Sequence, residues 1–170
     1  MTFLSANELD DGAVLEADVV VVGSGAAGLS LARKLGQQGE KVLLVEAGDL
    51  TLDGATQGLY RGEQLGVEYY DLSAFRLRYY GGTKNHWSGF CQRNDRIDYE
   101  GRLELDLPKW PVDDTELDPY ITDAAKLLGL SGAPTDPEAA LKTRNLPVQD
   151  LLDSRSSILR SKIFQFSFDR

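Results

Sequence analysis

Gly23-Ser24-Gly25-Ala26-Ala27-Gly28 and Glu46 are the residues whose types and spacing first point to chemistry. A G-x-G-x-x-G cluster is common, and alone it is a weak signal. Here it directly follows Val19-Val20-Val21-Val22 and opens a helical pattern, which is the placement a dinucleotide site needs. Gly23 permits a tight turn out of a strand, Gly25 removes a side chain so that a diphosphate can approach the backbone, and Gly28 lets the helix pack closely. The helix N-terminus supplies unpaired N–H donors and a partial positive charge, so the anion needs no lysine. Glu46 ends the next apolar run, roughly twenty residues on, where a carboxylate accepts from ribose hydroxyls and repels a 2′-phosphate. NADP is therefore disfavoured. Without a ligand, the same residues would be a β–α–β unit with incidental glycines and an exposed acid.

The elements that must position these residues are legible in the pattern. Ala17 to Val22 and Lys41 to Val45 are short apolar runs suited to strands of a parallel sheet buried on both faces. Between them Ala27, Leu31 and Leu35 form a helical stripe, and Gly39 stands where a left-handed cap is wanted. Residues 48 to 74 are loop-rich with weak periodicity. Phe75 to Tyr80 alternates and predicts a strand before the Gly81-Gly82 turn. Leu117, Tyr120, Ile121, Ala124, Ala125 and Leu128 share one helical face that ends at Gly129. Asp118-Pro119 reads as a cap followed by proline, with an earlier turn beginning at the Asp113/Glu116 capping box. Asp136-Pro137 repeats that signal before a short helix around Glu138 to Leu141, and Lys142 to Leu152 reads as a linker.

Composition bounds the function. The 170 residues suit one domain, with 42 % hydrophobic and 26 % charged residues, too apolar for a disordered tail. A net charge of −9 makes nucleic acid and anionic membrane surfaces poor partners. The longest strictly apolar run falls far short of the roughly 20 residues that span a bilayer. Residues 1–11 do not read as a secretion signal, so a reducing cytoplasm is the expected compartment. Cys91 is the single cysteine, which excludes an internal disulfide and a multi-cysteine metal site; it reads as a small buried side chain. No metal site is expected. His86 is the single histidine. A Ser–His–Asp triad, a zinc hydrolase helix and a P-loop all lack their parts.

A second glycine segment runs from Arg76 through Gly81-Gly82-Thr83-Lys84-Asn85-His86-Trp87-Ser88 to Gly89. Alone it would be a tight turn over an aromatic contact, with a histidine more often packed or solvated than catalytic. Together with Asp18 to Gly28, Val45-Glu46-Ala47-Gly48, Trp110-Pro111 and Glu116 to Tyr120, it resembles the glucose–methanol–choline (GMC) family of FAD-dependent oxidoreductases. The resemblance runs from about residue 17 to 130, and its order and spacing are similar to the sugar-dehydrogenase and pyranose-oxidase side of that family.

The resemblance implies an α/β fold with a Rossmann-like FAD-binding domain, a parallel sheet with crossover helices. It implies that Gly23, Ser24, Gly25, Ala27 and Gly28 line the FAD diphosphate and that Glu46, with Ala47 beside it, holds the adenosine ribose. Gly82 and Thr83 would contact the second half of FAD, and Asn85, His86, Trp87 and Ser88 would pass near its ring. Some relatives bond a histidine in a Thr-His-Trp setting covalently to the flavin. His86 precedes Trp87 in the same way, but Asn85 replaces the threonine, so covalent attachment and plain ring contact both stay open.

The implied activity is oxidation of an alcohol or sugar CH–OH group by hydride transfer to flavin N5. Members use a histidine far along the chain as base, and this sequence has no second histidine, so no catalytic residue is assigned and the chain alone is expected to be inactive. The expected organisation is a lead-in at 1–16, the N-terminal part of an FAD-binding domain at 17–152, and the start of a substrate-binding region at 153–170. Phe164, Phe166 and Phe168 alternate with polar residues as a strand with no evident cover, and burying each Phe is worth roughly 1.5–3 kcal/mol. A missing C-terminal region or a second chain is the expected partner, besides a small alcohol or sugar. Arg155, Arg160 and Lys162 form a basic patch. The alternatives are a non-catalytic flavin module, a subunit of a split enzyme, or an NAD-dependent dehydrogenase.

Overall fold

The computed structural model describes residues 2–130, 139, 141, 142, 145, 147 and 161–167. The chain divides into two compact units, Met1–His86 and Trp87–Arg170.

In the first unit, strand β1 (Val19–Val22) pairs in parallel with β2 (Val42–Val45), in register Val19 opposite Val42 through Val22 opposite Val45. Helix α1 (Ala26–Gln37) connects them. The fold is thus α/β of the Rossmann-like kind, as the spacing of the apolar runs predicts. The helix ends where expected: Glu40 N–H donates to Leu35 O at 3.2 Å and Gly39 N–H to Gly36 O at 3.2 Å.

The apolar runs are not buried on both faces. Val21 is buried, but Val20 is 55 % and Val22 82 % exposed, because β1 and β2 form a two-stranded sheet among the described residues. The helix stripe is also rotated from its predicted setting. Its half-buried face carries Gly28, Leu29, Ala32 and Leu35, while Ala27 and Leu31 are exposed. Gly28 sets this rotation, since it packs against the backbone of Gly23 and the side chain of Val21.

Residues 48–75 contain two short helices, α2 (Gly54–Gly58) capped by Asp53 and α3 (Leu72–Phe75) capped by Asp71. The strand expected over Phe75 to Tyr80 is absent. Its amides find other partners: Phe75 and Arg76 donate back to Asp71 O and Leu72 O, Leu77 N–H to Thr83 Oγ1 at 3.1 Å, Arg78 N–H to Gln57 Oε1 at 2.9 Å and Tyr80 N–H to Asp49 O at 2.9 Å. Phe75 stacks on Tyr70 rather than alternating into a sheet.

In the second unit, β3 (Phe90–Cys91) pairs antiparallel with β4 (Gln165–Phe166), so the Phe-rich strand has a partner. Phe90 packs against Phe166 at 4.5 Å and Phe164 at 6.0 Å between centroids, with all three rings still about half exposed. Cys91 is half-buried, not buried, and donates to Gly89 O at 3.4 Å. Helix α4 (Arg96–Glu100) buries Tyr99 edge-on to Trp110.

Helix α5 (Asp114–Leu127) starts at the Asp113/Glu116 capping box, and Pro119 lies inside it. Asp118 is therefore no cap; it pairs with Arg93. Gly129 closes α5, with Leu130 N–H on Ala125 O at 2.9 Å. Lys162 pairs with Asp95. The helix expected around Glu138 to Leu141 and the linker to Leu152 lie for the most part outside the described residues, as do Arg155, Arg160 and Phe168 entirely.

Candidate functional site

Three stretches of the first unit converge: the turn after β1, the turn after β2, and the Gly81-Gly82-Thr83 segment. Gly23 carries φ +94°, a conformation that glycine adopts without strain, and donates to Val45 O at 2.7 Å, which prolongs the β1–β2 ladder into the loop. A Cβ on Gly28 would lie 1.9 Å from Gly23 O, so the first turn of α1 sits directly on the strand-to-helix turn. A Cβ on Gly48 would lie 2.3 Å from Arg78 O, so the turn after β2 abuts the approach to the second glycine pair. A Cβ on Gly82 would come within 3.4 Å of Gly25 Cα. The two glycine loops, far apart in sequence, thus lie close enough that one added methyl would bridge them.

Glu46 and Ser24 tie this arrangement together. Glu46 Oε2 accepts from the Ser24 N–H at 2.7 Å and the Ser24 hydroxyl at 2.6 Å, while Oε1 accepts from Ala47 N–H at 2.9 Å and Gly48 N–H at 3.1 Å. Burial pushes the Glu46 carboxyl up, but the Ser24 hydroxyl and the three backbone donors outweigh it and hold the group below its ordinary value of 4.5. A carboxylate depressed in this way stabilises the fold above its unfolded value and loses that contribution as pH falls through the folded one. Glu46→Gln should therefore be less stable than the parent at neutral pH, with the gap narrowing as pH drops below 4.5; urea unfolding across a pH series reads this directly.

Ser24 lies beneath the turn rather than on its surface. Its side chain is fully buried, and its hydroxyl donates to Glu46 Oε2. Ala27 is exposed on the first turn of α1, and Ala47 is exposed beside Glu46. Thr83 begins its side-chain work within the protein, accepting from Leu77 N–H. Asn85 folds back on the same turn, with Nδ2 donating to Tyr80 O at 2.8 Å. His86 is exposed at the end of the 3₁₀ turn Gly82–His86. Trp87, half-buried, and Ser88, exposed, belong to the second unit.

Sequence reasoning did not single out Gly48 or Gly81 as site residues, nor Gln57. Gln57 accepts from Arg78 N–H and donates to the carbonyls of Ser73 and Arg76, bracing the approach to the second turn. The glycine doublet and the Glu-Ala-Gly run were the available signals for the first two; a lone glutamine in a loop gives none.

What can such a site hold? Gly25 caps α1 without a side-chain hydrogen bond, and a Cβ there would meet nothing within 4 Å. An uncapped helix N-terminus opening on free space suits an anion. The approach of Gly82 to Gly25, to within the reach of an added Cβ, brings a second backbone segment to the same place, as a long cofactor needs. The residues fit a dinucleotide diphosphate. Among the described residues, no helix is long and apolar enough to cross a membrane. A groove of about 470 Å³ beside Ile97, Arg102, Leu107, Lys109 and Trp110 lies in the second unit and contains none of the predicted site residues.

Residues 18–155 match the family described as DAO, FAD dependent oxidoreductase. The chain belongs to the FAD-dependent oxidoreductase family. Its cofactor is therefore FAD, which decides against the nicotinamide alternative. This FAD-dependent oxidoreductase is also similar to a 2-methyl-1,2-propanediol dehydrogenase of Mycolicibacterium austroafricanum, 28% identical over 158 residues. That likeness takes in 79% of this chain and 29% of the relative, so the chain spans less than a third of that curated protein's length. No solved structure matches it.

Proposed function

We propose that this FAD-dependent oxidoreductase is the FAD-binding portion of a GMC-type enzyme acting on the CH–OH group of an alcohol or sugar. The approach of Gly82 to Gly25 carries the reading, because one loop is needed for the diphosphate of FAD and another for its flavin half. The likeness to a protein named as a diol dehydrogenase supports an alcohol as substrate class. When bound, FAD would supply the acceptor for a hydride taken from the substrate carbon.

The chain's own residues bind and orient. Backbone donors at the start of α1, around Gly25 to Gly28, hold the diphosphate, with Ala27 at its edge. Glu46 takes a ribose hydroxyl, which replaces one of the four donors its carboxylate now accepts from. Gly82 and Thr83 face the second half of the cofactor, and Asn85, His86, Trp87 and Ser88 lie along the chain toward its ring. The FAD-binding domain runs from 17 to 152 after a lead-in at 1–16, and residues 153–170 lead into a substrate-binding region. The base that takes the hydroxyl proton is supplied from outside this chain, by a C-terminal region or a second polypeptide, in the cytoplasm.

Co-expression with the polypeptide encoded downstream tests this. Turnover of 1,2-diols, simple alcohols or aldoses with an artificial electron acceptor is expected only for the joint preparation. Alcohol oxidation by this chain alone would contradict it. Acid precipitation separates the two forms of ring contact by His86: flavin absorbance retained in the pellet, and lost in His86→Ala, assigns a covalent bond, whereas flavin wholly in the supernatant assigns plain contact.

A further inference from the structure

Among the described residues, Ser24 is the largest side chain with no exposed surface, and it is polar. A buried hydroxyl is costly unless each of its groups is used, and here each is. Its hydrogen goes to Glu46 Oε2 at 2.6 Å, a short charge-assisted bond, and its oxygen accepts from the Gly81 N–H at 3.0 Å in a buried contact. Gly81 and Gly82 have φ +89° and +61°, so the turn that Ser24 anchors is one only glycines make easily. Gly82, the next residue, is the one whose Cβ position lies 3.4 Å from Gly25 Cα. One oxygen atom therefore joins the first glycine loop, the acid at the end of β2 and the second glycine turn.

We infer that Ser24 is a positioning residue that couples the two halves of the FAD site: it does not touch the cofactor but sets where the Gly82-Thr83 backbone stands relative to the diphosphate loop. This rests on the reading of these segments as the FAD site. Three consequences separate it from a role in stability alone. Without the hydroxyl, the Gly81 amide loses its buried acceptor and exchanges with solvent. The β1–β2 ladder, which does not use the hydroxyl, keeps its protection. Binding of ADP, which reaches only the first loop and Glu46, changes little, while FAD, which needs both loops in register, is weakened.

The experiment compares the full chain with Ser24→Ala and Ser24→Cys by hydrogen exchange and by titration with FAD and with ADP. Ser24→Ala is expected to lose protection at Gly81 alone, to bind FAD roughly 10- to 100-fold more weakly, and to bind ADP within about threefold of the parent. Ser24→Cys, close in size with a poorer donor and acceptor, should fall between, and it carries the comparison if the alanine variant does not fold. Unchanged FAD affinity in Ser24→Ala, or equal losses of FAD and ADP accompanied by exposure of the β1–β2 ladder, would overturn the coupling role and leave the site reading intact. A parent chain that binds ADP but not FAD would remove the site reading, and the coupling role with it.

Discussion

Gly25→Ala should leave the fold in place and remove most of the FAD binding. The backbone there has φ −64° and ψ 180°, which alanine adopts freely, and an added Cβ meets nothing within 4 Å. The cost to stability should stay within about 1 kcal/mol, the range for changing a residue at a helix cap. The space the methyl enters, however, is where the diphosphate must approach the first amides of α1. Charge-assisted hydrogen bonds are worth roughly 1.5–3 kcal/mol each, so displacing two of them lowers affinity about 100-fold or more. Thermal unfolding and flavin fluorescence titration on the same preparation measure both quantities. A variant that binds FAD as tightly as its parent would show that the diphosphate lies elsewhere.

The second large effect runs against helix propensity. Replacing a helical glycine by alanine ordinarily stabilises by roughly 0.5–1 kcal/mol. Gly36, in the same helix, has nothing within 4 Å of its Cβ position, and Gly36→Ala should show that gain. At Gly28 the added carbon would stand 1.9 Å from Gly23 O and 3.1 Å from Gly23 C, backbone atoms that cannot rotate away. Gly28→Ala should therefore destabilise by at least about 2 kcal/mol, in the range known for overpacked sites, and should loosen the loop that holds the cofactor. Urea denaturation of the two variants side by side gives opposite signs if this packing is right. Equal gains at both positions would refute it.

The β–α–β unit was readable because its signals are local: two apolar runs, a glycine turn and a glycine cap. What local signals could not supply is which face a helix turns inward. The leucine spacing favoured Ala27, Leu31 and Leu35, yet the backbone contact at Gly28 sets the rotation and leaves Leu31 51 % exposed. The alternation over Phe75 to Tyr80 failed for a related reason. Period-two patterning marks a strand only where a neighbouring strand takes the amides, and here Gln57 and Thr83 take those of Arg78 and Leu77. At Asp118-Pro119 two cap signals competed, and the earlier one won because Asp113 and Glu116 satisfy each other's backbone donors.

The candidate site was legible as a set of residue types, and less so as a set of positions in the fold. Gly25, Gly28 and Glu46 follow from motif and spacing. Ser24 lies in the same motif, but its burial and its bond to Gly81 bridge 57 positions of sequence, a separation no local pattern encodes. Gly48 is similar: its close approach to Arg78 exists only once the second glycine segment has folded back over the turn after β2.

Hydrogen exchange of the full chain with and without FAD puts the meeting of these three segments to the most direct test. The expected footprint is joint slowing of amides around Gly25 to Gly28, Ala47 to Gly48 and Gly82 to Thr83, saturating together as FAD is added. Protection confined to the first loop, or appearing only in residues 87–130, would contradict it.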